Sequence, residues 1–130
     1  MEISSLRFAD VIVTAPVGRI DHSTADAFQV AVEPLLVATA GMNGAMVLDL
    51  SGVDYISSVG LRVVMMAAKH LRARKARIAA VSLQPVVREI FEIARFNHVV
   101  EMFPSTRDAL HEFSEPALAA FDAGTGSGIA

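Results

Sequence analysis

The stretch AMVLDLSGVDYISSVGLRVV, residues Ala45 to Val64, decides the fold. Its first part, Ala45–Leu50, is a short apolar run bounded by glycines, which is how a strand buried on both faces reads. From about Ser58 the spacing changes to a helical one. Leu61, Val64, Met65, Ala68 and Leu71 form an apolar stripe that carries a helix to roughly Arg74. Between strand and helix lie two aspartates, Asp49 and Asp54, the serine pair Ser57–Ser58, and Gly60.

Outward from this unit the same alternation continues. Ile3–Phe8 and Val11–Ala15 read as strands, the second from its β-branched run. Pro16 implies an edge or a bulge there. Gly18-Arg19-Ile20-Asp21-His22 leads to a helix with Ser23 as N-cap, Asp26 three residues on, and Ala27, Val30, Ala31 and Leu35 as its apolar positions. It should stop near Gly41, with a kink or break at Pro34. Downstream, Arg77–Val81 is a strand. Pro85 opens a helix that buries Val86, Val87, Ile90, Phe91 and Ala94, and Asn97 ends it. Val99–Met102 is a last strand, and Pro104–Asp108 is a capping signal for a final helix. Strands alternating with helices predict an α/β domain with a largely parallel interior sheet. The segment from about Ser114 ends in AGTGSGIA and reads as a partly flexible tail. The expected division is a domain over 1–113 and a tail over 114–130.

Composition narrows the function classes. The chain has 130 residues, 53% hydrophobic and 19% charged, which fits one compact domain. It has no Cys, so disulfides, thiolate metal sites and Cys nucleophiles are excluded. A net charge of −3 argues against general nucleic-acid binding. MEISSLRF lacks the basic and apolar regions of a signal peptide, and no apolar run reaches the ~18 residues of a membrane helix. The expectation is a cytoplasmic protein, monomeric by default.

The serine pair admits two readings. Serine at a strand-to-helix junction is an ordinary N-cap. The same junction also suits a phosphate, because a helix N-terminus has free N–H groups and a positive dipole end. Gly60 costs about 1 kcal/mol as a helix former, which suits a place of close backbone approach. Asp49 and Asp54 lack the further ligands a metal or an acid–base pair needs, so no metal and no cofactor are expected. The histidines His22, His70, His98 and His111 have no HExxH-type spacing. His22 lies near the serines, but Gly-x-Ser-x-Gly is absent, so hydrolase chemistry is disfavoured. The basic run His70–Arg77 reads as cations complementing a helix C-terminus.

Two blocks carry a resemblance. GRIDHSTADAF, residues 18–28, resembles the Gly-x-Leu/Ile-Asp-x-x-Thr-Ala block of the STAS-domain anti-sigma-factor antagonists. LDLSGVDYISSVGLRVV, residues 48–64, resembles their strand, Asp-Leu-Ser, then Ser-x-Gly-Leu helix start. The strand–helix order to about Phe113 also matches. The resemblance implies a single STAS-like domain, with a mixed, mostly parallel sheet of four to five strands packed with about four helices.

It further implies a non-enzymatic switch. The serine two residues before the signature glycine is that family's phosphoacceptor, which is Ser58 here. The residue before it is often Asp, and here it is Ser57, the alternative acceptor. The implied partners are an anti-sigma factor with serine kinase activity and a PP2C-type phosphatase. The implied docking surface joins Asp21, His22, Ser23 and Thr24 to Ser57, Ser58, Val59, Gly60 and Arg62. The alternative is a STAS module that senses a small ligand or acts as a scaffold in a signalling assembly.

Overall fold

The computed structural model describes residues 1–128. The strands are β1 (Glu2–Phe8), β2 (Val11–Ile20), β3 (Ala45–Asp49), β4 (Val53–Ile56), β5 (Arg77–Val81), β6 (Glu101–Phe103) and β7 (Ser127–Gly128). The helices are α1 (Ala25–Gly41), α2 (Ser58–Ala73), α3 (Pro85–Ile93), α4 (Thr106–Phe113) and α5 (Glu115–Asp122). The sheet runs β6-β5-β3-β2-β1-β7, with β4 paired to β2 off that path. Pairings β2–β3, β3–β5, β5–β6 and β2–β4 are parallel, while β1 is antiparallel to β2. The expected α/β domain with a mixed, mostly parallel sheet is therefore what forms. The path β6-β5-β3-β2-β1 supplies the five strands read from the sequence, and β4 and β7 are additional.

Strand alternation sorts the core into two layers. Ile12, Met46, Leu48, Ile78 and Ala80 face one side, where Phe28 and Val32 of α1, Val64 and Leu71 of α2, and Val87 and Phe91 of α3 cover them. Val11, Ala45, Val47, Ala79 and Val81 face the other, under Ala109 and Leu110 of α4 and Ala117 of α5. β3 is buried at every position except its last, as a central parallel strand must be.

Several expectations are corrected. β2 does not stop at Ala15 but runs through Pro16 to Ile20. It pairs with β3 over Val11–Thr14 and with β4 over Gly18–Ile20. Pro16 lies in the gap between these ladders, where its missing N–H breaks no bond on that side. The N-cap of α1 is Thr24, not Ser23, and the helix continues through Pro34 to Gly41. Val30 and Pro34 are both exposed, so the carbonyl that loses its partner faces water. The buried face of α1 is Ala25, Phe28, Val32, Leu35, Leu36 and Thr39; Ala27 and Val30 point outward.

In α3 only Val87 and Phe91 are fully buried, and Val86 and Ala94 are exposed. The helix ends at Ile93, Arg95 just beyond it takes the left-handed region (φ 59°), and Asn97 lies inside the following 3-10 turn. Ser105 caps α4 as expected, its hydroxyl accepting the Asp108 N–H. The segment after Ser114 is not all tail. It contains α5, with Ala117 fully buried and the Ser114 hydroxyl bonded to Asp10 and capping Ala117. Among the described residues, no helix is long and apolar enough to cross a membrane.

Candidate functional site

The strand β4 sets up the site. It pairs with the far end of β2, so Ile20 stands opposite Ile56 and the Ser57 N–H donates to the Ile20 carbonyl at 2.8 Å. The register slips between Gly18 and Arg19, and Gly18 takes φ +101°, a value glycine tolerates without strain. The end of β2 and the start of α2 thereby lie side by side. Residues 18–24 and 57–62, read as two separate blocks of sequence, form one surface.

The two serines have different surroundings. Ser57 has extended backbone (φ −88°, ψ 174°), and its Oγ accepts the Gly60 N–H at 3.3 Å. It is half-buried, and it is the N-cap of α2. Ser58 is the first residue of the helix and is exposed. Its hydroxyl has no hydrogen-bond partner among the described residues. The first turn of α2 carries no acidic side chain, so the positive end of the dipole is not locally neutralised.

Gly60 is buried. A Cβ there would lie 2.6 Å from Ile20 Cγ2 and 2.8 Å from Ile56 Cγ1. Its bareness lets α2 close onto β2 and β4. Gly60 therefore seats the helix against β2 and β4, beneath the surface. Val59, at 41% exposure, and Arg62 form the outward side of the same turns.

Asp21 organises the neighbouring loop. Its Oδ1 accepts the Ser23 N–H at 2.9 Å and the Ser23 hydroxyl at 2.6 Å, and its Oδ2 accepts Arg19 Nε at 3.0 Å. The Asp21 N–H donates to Thr24 Oγ1, which itself donates to the Arg19 carbonyl. The Ser23 hydroxyl first, then the Ser23 N–H, and less strongly Arg19 and His22, stabilise the charged carboxylate against partial desolvation. They lower its pKa from 3.8 to about 2. His22 and Ser23 are exposed, and Thr24 is half-buried.

Two neighbours escaped the sequence reading. The Arg19 guanidinium lies 4.1 Å from the centre of the Tyr55 ring while it holds Asp21. Gln84, just before α3, donates from Nε2 to the Ser51 carbonyl at 2.8 Å and ties down the loop before β4. The Arg19–Tyr55 pair follows from β2–β4 registration, which is visible only once β4 is placed. Asp49 accepts the Ser51 N–H at 3.0 Å, a turn-forming role. Among the described residues, no three His, Cys, Asp or Glu side chains cluster as metal ligands.

Comparison with known proteins places this arrangement. A Bordetella bronchiseptica protein named as a candidate anti-sigma factor antagonist, BtrV, is 45% identical over 75 residues. That match spans 58% of this chain and 58% of the relative's own length. A structure described as a candidate anti-sigma factor antagonist of Thermotoga maritima superposes with a TM-score of 0.75 at 22% identity, covering 84% of this chain and 92% of that one. An anti-sigma factor antagonist from Mycobacterium paratuberculosis superposes with a TM-score of 0.70 at 24% identity, covering 85% and 93%. These structural likenesses carry the fold. The model of the STAS domain matches residues 4–109, which takes in most of β1 through the first half of α4 and both blocks of the site, and the chain belongs to the STAS-domain family.

Proposed function

We propose that this chain is an anti-sigma-factor antagonist that works by partner switching. In its unmodified form it binds an anti-sigma factor that is also a serine kinase, and so releases a sigma factor. The kinase then phosphorylates Ser58, the complex separates, and a PP2C-type phosphatase restores the starting state. The observation that carries this reading is the contrast between the serines: Ser57 is held as the cap of α2, while Ser58 presents a free hydroxyl at the helix start. The name of the Bordetella relative supports the same reading.

The docking surface is formed by His22, Ser23, Val59 and Arg62 around Ser58, with Asp21, Thr24, Ser57 and the buried Gly60 shaping it from below. A phosphate on Ser58 adds about −1.5 to −2 charges and three acceptor oxygens. In cis, the N-terminus of α2 tolerates them. In a docked complex the charge has to be desolvated or repelled. A hundredfold loss of affinity requires only ~2.7 kcal/mol, so no refolding of the domain is needed.

The test is intact mass and co-purification from the native cytoplasm for wild type, Ser57→Ala and Ser58→Ala. Wild type and Ser57→Ala gain the mass of one phosphoryl group, Ser58→Ala does not, and a kinase co-purifies with the unmodified forms. Phosphate retained on Ser58→Ala and lost from Ser57→Ala would move the switch to Ser57. No phosphate and no kinase on any form would remove the proposal.

A further inference from the structure

Away from the serines, α1 and α2 leave a cavity of about 330 Å³ between them. That is the lower end of the size range of small-molecule sites. Val32, Leu36, Val63 and Ala67 form its floor, and Val37 and Met66 stand at its mouth, 67% and 48% exposed. His70 also lines it, and its Nε2 is buried without a hydrogen-bond partner, alone in this among side-chain atoms of the described residues. A buried ring nitrogen without a partner is an unfavourable arrangement that a hydrogen bond relieves. Meeting a ligand in the cavity requires the imidazole to turn, which its broad terminal torsion permits.

We propose that this cavity binds a small uncharged amphipathic molecule, an apolar body carrying one hydroxyl-type group that meets the imidazole of His70. The apolar floor selects the body. An anionic group is disfavoured twice over. The floor offers nothing to solvate an ion, and the Glu33 carboxylate, which accepts a hydrogen bond from Gln29 beside it, also lines the cavity and repels an anionic head. The site does not depend on phosphorylation of Ser58, and its test is independent of that reading.

The probes are 2-phenylethanol and ethylbenzene, which share a body and differ by the hydroxyl. Titration of the ¹⁵N-labelled full chain is followed by NMR at the amides of Val63 and Ala67 and at the His70 ring nitrogens. 2-Phenylethanol produces saturable shifts at all three and binds roughly tenfold more tightly than ethylbenzene, the usual effect of one buried hydrogen bond. His70→Phe binds both probes equally. Met66→Trp and Val37→Trp, both at exposed positions, block the mouth and bind neither. The proposal is overturned if wild type shows no saturable shift, if it binds the two probes equally, or if both tryptophan variants bind like wild type.

Discussion

Asp21 holds three groups at once, and its charge is part of the loop's architecture. Because the folded-state pKa is depressed, the stability it contributes is fully present above the unfolded value. It is lost as pH falls from 3.8 towards about 2. Asp21→Asn keeps the shape but removes the titration. Urea unfolding between pH 5 and pH 2 should show wild type losing stability over this window more steeply than the variant, and equal slopes would show that Asp21 is not linked to folding. At Ser57 the expectation concerns the cap. Ser57→Ala loses the acceptor of the Gly60 N–H and should cost about 1 kcal/mol of unfolding free energy. Ser58→Ala, which breaks no hydrogen bond among the described residues, should stay within about 0.5 kcal/mol of wild type. Denaturant curves of the two variants separate a structural serine from a functional one without any partner present.

The second helix is positioned by the glycine in its first turn. Gly60→Ala would gain about 1 kcal/mol of helix propensity. The new methyl would meet Ile20 and Ile56 at 2.6 and 2.8 Å, and methyls on β-branched side chains have little freedom to retreat. Overpacking of this kind costs about 1–3 kcal/mol, so the expected net result is destabilisation, read as a lower urea midpoint. A midpoint raised by the substitution would show that α2 can ride away from β2 and β4. The same element shows what the sequence made legible. The stripe of α2 is legible because Arg62, Lys69 and Arg72 mark its outer side. Val64, Ala68 and Leu71 are buried as the pattern predicts, but Leu61 and Met65 are only half-buried, and the buried face turns instead to take in Val63 and Ala67. In α1 it fails. ADAFQVAVEPLLVATAG is apolar nearly all round, so period alone cannot choose a face, and the sheet chose Phe28 and Val32 over Ala27 and Val30. β4 was hidden for another reason. Four residues with Asp54 exposed and Tyr55 half-buried form a strand only because the end of β2 is left unpaired beyond β3. For the site, the two blocks were legible separately, but the contact between them depends on that short strand.

At the scale of the whole molecule, both faces of the sheet need cover, and the chain past Phe113 supplies part of it. Phe121 packs edge-on against Phe8 with ring centres 5.4 Å apart, and Ala117 of α5 is fully buried in the second core layer. Ser114 bonds to Asp10 in the turn between β1 and β2 and caps α5 at the same time. The Ser-Glu-Pro start at residues 114–116 is a capping signal of the same kind as the one at Ser105, but the glycine-rich end that follows masks it. We infer that the folding unit reaches to about Asp122, beyond Phe113. A chain ended after Phe113 would expose Phe8, which loses the Phe121 ring packed against it, and the side of α4 that α5 covers. The expected loss is at least that of deleting one buried aromatic side chain, about 3 kcal/mol. A chain ended after Gly124 retains α5 and should unfold near the wild-type midpoint. If both truncations unfold together with the full chain, α5 is an appendage, and the unit closes at the end of α4 as the two-block resemblance implied. If only the shorter one is weakened, the second layer of the core depends on α5.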